Sequence, residues 1–228
     1  MNAQLIENWN EQYEGSNIPQ WEDTVPNTAF CHFVLENSTP GMRILELGCG
    51  LGYNAIYLAQ NGLKVTASDI SDNAVKRCRE LAKLSCLDIE CMTLDLMNIN
   101  VEIEPFDIVV DKGCLHTFFD HESRSLFSKN VHTLLGDFGL WFTSIGSADN
   151  NDDPCDSNLP TYPRLSLQQI TIATEEYFEF LKVQKGNYGS SKDRNFVTWE
   201  CLLRKRANKA MHPTLVPRAG DGRRSVNG

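Results

Sequence analysis

The chain predicts an α/β fold: a parallel sheet with helices packed on both faces. Two observations carry this. Apolar runs of strand length alternate with segments of helical period along most of the 228 residues. Five of those runs stop at a glycine, at an acid or just before one, at Gly48, Asp69, Asp95, Asp111 and Ile145 ahead of Gly146. In open sheets of this kind, ligands bind outside the carboxyl ends of the strands.

Taken in order, residues 2–14 and 27–37 read as N-terminal helices. Met42 to Leu47 is an apolar run that reads as a buried strand, and it breaks into Gly48, Gly50 and Gly52 before a helical pattern from Tyr53 to Asn61. With no Cβ in the way, the backbone of such a turn can come close to a nucleoside. The next strand, Lys64 to Ser68, ends in Asp69, an acid placed to accept hydrogen bonds from ribose hydroxyls. The pair points to an adenosine-containing cofactor. Ser71 is an N-cap for a helix from Asp72 to about Leu84, with Val75, Cys78 and Ala82 on its apolar face. Ile89 to Asp95 and Phe106 to Asp111 are the third and fourth strands. A helix from about Glu122 to Leu135 turns Phe127, Val131, Leu134 and Leu135 inward, and Gly136 and Gly139 end it before a fifth strand, Leu140 to Ile145. Ser166-Leu-Gln-Gln169 has the capping-box pattern and opens a helix through about Phe180. Leu181 to Tyr188 and Asn195 to Lys205 close the fold as a hairpin.

The glycine spacing separates two cofactor classes. The dinucleotide fingerprint G-x-G-x-x-G needs a third glycine for close helix packing, and Tyr53 stands at that position. Glu46-Leu-Gly-Cys-Gly-Leu-Gly52, followed by Asp69, instead resembles the first motifs of the class I S-adenosylmethionine (SAM) dependent methyltransferases. Ile89 to Asp95 and Phe106 to His116 are similar to that family's third and fourth strands in the expected order. Asp111-Lys-Gly-Cys-Leu-His116 and Trp9-Asn-Glu-Gln-Tyr13 resemble its small-molecule branch, the thiopurine, tellurite-resistance and thiol/halide methyltransferases. Gln20 separates Pro19 from Trp21, where that branch has Pro directly before Trp. The resemblance covers roughly residues 5 to 205 and implies a Rossmann-like three-layer αβα sandwich. Its seven-stranded sheet would be mostly parallel, with an antiparallel last strand. It implies a helical cap over the cofactor in residues 1–40 and a SAM-binding domain in 41–206. It places the cofactor against Trp9, Glu46, Gly48, Cys49, Gly50, Gly52, Asp69, Ile70, Asp95, Leu96 and Asp111. Asp95 would lie near the adenine amino group, with Leu96 on the ring. His116 and Asp111 are the catalytic candidates, and Tyr13, Trp21 and His116 those for the acceptor.

Composition narrows the partners. The net charge is -9, yet residues 204–228 hold seven Lys/Arg against one Asp, so the body carries 14 basic and 29 acidic residues. An acidic body repels nucleic acid, and no apolar run reaches the ~20 residues that span a bilayer. Residues 207–228 lack an apolar period and read as a basic, flexible tail. Eight scattered cysteines without a C-x-x-C pair, and a start without a signal-peptide pattern, suggest free thiols in a reducing cytoplasm and no metal site. The expected reaction is methyl transfer to a small molecule (a thiol, chalcogen, halide or amine) by a monomer or homodimer. The alternatives are a protein lysine methyltransferase and an NAD(P)-dependent oxidoreductase, the latter for Tyr188-Gly-Ser-Ser-Lys192.

Overall fold

The computed structural model describes residues 3–19, 21–99, 102–149, 164–187 and 197–207. The elements run α1 (Ala3–Gln12), α2 (Thr28–Leu35), β1 (Arg43–Leu47), α3 (Tyr53–Gln60), β2 (Lys64–Asp69), α4 (Asp72–Leu84), β3 (Glu90–Thr93), β4 (Phe106–Lys112), α5 (His121–Leu134), β5 (Leu135–Gly146), α6 (Leu167–Thr174), β6 (Phe178–Asn187) and β7 (Val197–Lys205). They form a seven-stranded sheet in the order β3-β2-β1-β4-β5-β7-β6. The pairs from β3 through β5 are parallel, and β7 runs antiparallel to both its neighbours. The strand order reverses between β1 and β4, where a crevice opens at the carboxyl ends.

Both faces of the sheet are covered, which is why its central strands read as continuous apolar runs. On one face Ile44, Val65, Ile108, Val110, Phe142 and Leu202 pack under α2, α3 and α4 through Phe30, Phe33, Ile56, Leu58 and Cys78. On the other, Leu45, Leu47, Val109, Trp141, Ile145 and Leu203 meet Phe127, Val131 and Ile170 of α5 and α6. The alternation along each strand sends consecutive side chains to opposite faces. Half of the N-terminal segment belongs to this core, because α2 buries Phe30, Cys31, Phe33 and Val34. α1 buries no residue. It docks on the start of α4, where Asn10 accepts from Ser71 Oγ at 2.9 Å and from Asn73 Nδ2 at 3.0 Å.

The boundaries differ most from the sequence reading at β5 and β6. β5 begins at Leu135, not Leu140. α5 stops at Leu134, and Leu135 is already extended before either glycine, so the chain goes straight onto the sheet: Leu135 pairs with Phe106, and the register shifts before Ile108 meets Leu140. Phe138, at φ 61°, takes up the extra length. β6 begins at Phe178, and α6 stops at Thr174. Phe178 is fully buried with its ring 5.0 Å from that of Trp141, a contact that draws the chain into the sheet three residues early. Residues 188–196, with Tyr188 and Lys192, residues 150–163 and residues from 208 onward lie outside the described residues. Among the described residues no helix is long and apolar enough to cross a membrane.

Trp141 ties the two halves of the second face together. It is fully buried, packs against Phe127 and Phe178, and donates Nε1–H to Asp111 Oδ2 at 2.8 Å. Trp141→Phe keeps the ring contacts but removes a donor to a buried carboxylate. The expected loss is about 1–3 kcal/mol of unfolding free energy in urea titration, with an unchanged slope.

Candidate active site

The turn after β1 has all three glycines at positive φ: Gly48 at 65°, Gly50 at 52° and Gly52 at 87°. That is the left-handed region in which a side chain is strained. Space forbids one as well. A Cβ at Gly48 would run into Cys114 Sγ, at Gly50 into the Glu22 carboxylate and at Gly52 into Cys78 Sγ. The result is a bare backbone cradle leading into α3.

Asp69, at the tip of β2, closes this cradle. Its Oδ2 accepts the Gly50 N–H at 3.0 Å and its Oδ1 the Ser71 N–H at 2.9 Å. Burial raises its pKa, while these backbone donors oppose the rise. The carboxylate offers about four acceptor sites and takes the Gly50, Ser71 and Ile70 N–H groups, so room is left for a hydroxyl donor. Glu46 sits deeper, at 2% exposure, where Oε1 accepts Asn54 Nδ2 at 3.4 Å and Oε2 has no partner among the described residues. Desolvation pushes its carboxyl up to about 8. Cys49 is buried under the turn, and Ile70 stands half-buried beside Asp69. Asp95 lies past the end of β3 and caps a 3-10 turn, Leu96–Asn98, by accepting the Met97 N–H at 3.0 Å. Leu96 is buried in the cluster on the α5 side of the sheet.

The N-terminal segment folds over the cradle. Trp9 and Trp21 meet edge to face at 5.7 Å. Trp21 Nε1–H points at the Tyr13 hydroxyl at 3.4 Å, and Tyr13 donates to Glu22 Oε2 at 3.0 Å. Glu22 Oε1 in turn accepts the Leu51 N–H at 3.1 Å. Tyr13 packs with Leu51 and Ala74, so it stands on the cradle side of the crevice, away from the β4–β5 side. Glu22 and Asn54 were not singled out in the sequence. Their partners lie 29 and 8 residues away in the chain, and no local spacing signals either contact.

Asp111 and His116 both hold the loop after β4. Asp111 is fully buried. Its Oδ1 accepts the N–H groups of Cys114 and Leu115, and its Oδ2 accepts Trp141 Nε1–H. Desolvation pushes its carboxyl up to about 6. His116 is 4% exposed, and its Nδ1 accepts the Gly146 N–H at 2.8 Å. Burial lowers its pKa to about 4. The neutral ring with Nδ1 accepting carries its proton on Nε2, which makes it a donor there. Asp111 fixes the turn after β4, and His116 ties that loop to the tip of β5.

Residues 44–139 match the family described as "Methyltransferase domain". An uncharacterized methyltransferase of Schizosaccharomyces pombe, C750.03c, is 33% identical over 109 residues, covering 48% of this chain and 75% of the relative. The probable S-adenosyl-L-methionine-dependent methyltransferase TehB of Haemophilus influenzae is 29% identical over 115 residues, 50% of this chain and 38% of the relative. The chain spans about half or less of the first curated relatives it matches. One solved structure, from work on conversion of a disulfide bond into a thioacetal group during echinomycin biosynthesis, aligns with a TM-score of 0.76 at 21% identity. It covers 90% of this chain and 93% of that one. At that identity the likeness concerns the fold alone.

The buried Glu46 leaves a signature in stability. Its folded pKa is raised, so its contribution is fully present below about 4.5 and is lost as pH climbs through about 8. Glu46→Gln removes that titration. Unfolding free energy between these two pH values should fall less steeply in the variant, by on the order of a few kcal/mol across the window, in denaturant titrations at stepped pH.

Proposed function

From the premise that this chain belongs to the class I SAM-dependent methyltransferase family, we propose that it transfers a methyl group from SAM to a small-molecule acceptor. The observation that carries this reading is the cradle itself: three left-handed glycines under a buried acid at the tip of β1 and a second acid at the tip of β2. The cradle suits a nucleoside that must approach backbone. The unpartnered oxygen of Glu46 suits the cationic amino-acid end of the same molecule.

SAM supplies a methyl group on a sulfonium sulfur, which an acceptor displaces in line. The chain's own residues bind and position. Asp69 and Gly50 define the ribose end, and Asp95 with Leu96 the base end. Trp9 and Trp21 present aromatic faces near the crevice, which favour a sulfonium by about 0.5–2 kcal/mol. His116 and Asp111 hold the loop that faces the acceptor side. Placement of the reacting groups can lower a barrier by roughly 7–11 kcal/mol, so the reaction needs no protein nucleophile. A small acceptor fits the acidic body, which disfavours polyanions.

Two variants test the reading. Gly50→Ala puts a methyl into the Glu22 carboxylate at φ 52°, and it should weaken S-adenosylhomocysteine binding about tenfold or more by calorimetry. Heat exchange by neither SAM nor S-adenosylhomocysteine with the unmodified protein would end the proposal. His116→Asn keeps an acceptor for the Gly146 N–H, and turnover should stay within about tenfold of the parent. A fall of 10²–10⁴-fold would restore His116 as a general base.

A further inference from the structure

A row of polar side chains runs across the sheet at its carboxyl edge, beyond the cradle. Lys112 of β4 is in register with Ser144 of β5, Ser144 with Glu200 of β7, and Glu200 with Gln184 of β6. All four share the face covered by α2, the face of Val110, Phe142 and Leu202. The next row outward is Gly146, Thr198 and Gly186, so glycines flank Thr198 on both sides. Glycine there leaves the floor without side chains, and a Cβ at Gly186 would overlap Glu200 Oε1. Asn27 spans the row from above. Its N–H is bonded to Asn54 Oδ1 at 2.9 Å on one side, and its Nδ2 donates to the Asn187 carbonyl at 3.2 Å on the other.

This strip holds polar atoms that no other described residue satisfies. Glu200 is 3% exposed; its Oε2 accepts Gln184 Nε2 at 2.8 Å, and its Oε1 has no partner among the described residues. Thr198 is fully buried, and its Oγ1 is also without one. A buried carboxylate oxygen and hydroxyl left open, two residues apart on one strand, ask for an occupant. A carboxylate oxygen only accepts, so the occupant must donate. Glu46 and Glu200 are two buried acids on this face, where Lys182 lies over the Phe33 ring at 4.8 Å and Lys112, in the row, lies 3.5 Å from Asp23 Oδ2 of the N-terminal segment.

We propose that Glu200, with Thr198, selects the methyl acceptor: the open Oε1 binds an N–H group, so the acceptor is an amine or amidine rather than a carboxylate or halide. This deepens the methyl-transfer reading and rests on it. Glu200 is a specificity residue here. It orients an N–H of the acceptor and takes no part in the displacement: the neutral nitrogen attacks through its lone pair, the methyl C–S bond breaks with its electrons going to sulfur, and the surplus proton of the methylated nitrogen leaves to solvent.

The test uses the full chain saturated with S-adenosylhomocysteine and probes it with benzylamine and benzamidine against benzyl alcohol and benzoate. The two nitrogen compounds should raise the melting temperature by about 2–4 °C once several-fold above their dissociation constants, and the two oxygen compounds should not. Glu200→Gln should abolish the response, while its shift with S-adenosylhomocysteine stays as in the parent and its own melting temperature holds or rises. A purely structural Glu200 would instead lower that temperature and leave the amine response in place. If Glu200→Gln does not fold, Thr198→Val carries the same comparison. Equal response to benzoate, an unchanged amine response in the variant, or no response of the parent to either nitrogen compound overturns the proposal. Failure of S-adenosylhomocysteine itself to bind would strike the methyl-transfer reading instead.

Discussion

The hydrogen bond from the Gly50 N–H to Asp69 is the constraint on which the rest of the crevice depends. It fastens the turn after β1 to the tip of β2. The turn can reach that far only with left-handed residues at alternate positions, since a Cβ would meet a side chain at each of them. Once fastened, it leaves bare backbone at the point where the strand order reverses. Glu46, Cys114 and the N-terminal segment then find their places around it.

Burying acids is costly, and the site meets that cost unevenly. Asp69 and Asp111 are surrounded by N–H donors. Burial raises both carboxyls, and these donors work against the rise. Glu46 and Glu200 each keep one oxygen without a protein donor among the described residues. Satisfied acids serve as posts for loops. Unsatisfied ones hold a local free-energy deficit that a donor-bearing ligand can relieve.

The loop after β4 illustrates the same division. His116 and Asp111 carry the side chains most associated with proton transfer, yet both are committed to backbone donors. The neutral imidazole links β4 to β5, and its low pKa follows from burial. Methyl transfer from a sulfonium asks chiefly for alignment, so a rigid loop meets the chemical need better than a mobile base would.

How far the sequence reaches can be followed residue by residue. The alternation of strands and helices, the Ser71 and Ser166 caps, the glycine turn and the acid at position 69 were all legible, because each rests on local spacing: a period, a cap or a backbone angle. The early start of β5 and of β6 was not, since Leu135 is held by Phe106 and Phe178 by Trp141, both distant in the chain. Nor were Glu22 on the Leu51 N–H, the tautomer of His116, or the row from Lys112 to Gln184. The amino-acid sequence by itself determined the fold class and the cofactor family, which depend on short-range pattern. Tertiary structure alone decided which acids are paired and which stand open, because desolvation and hydrogen-bond supply come from residues brought together only when the sheet closes.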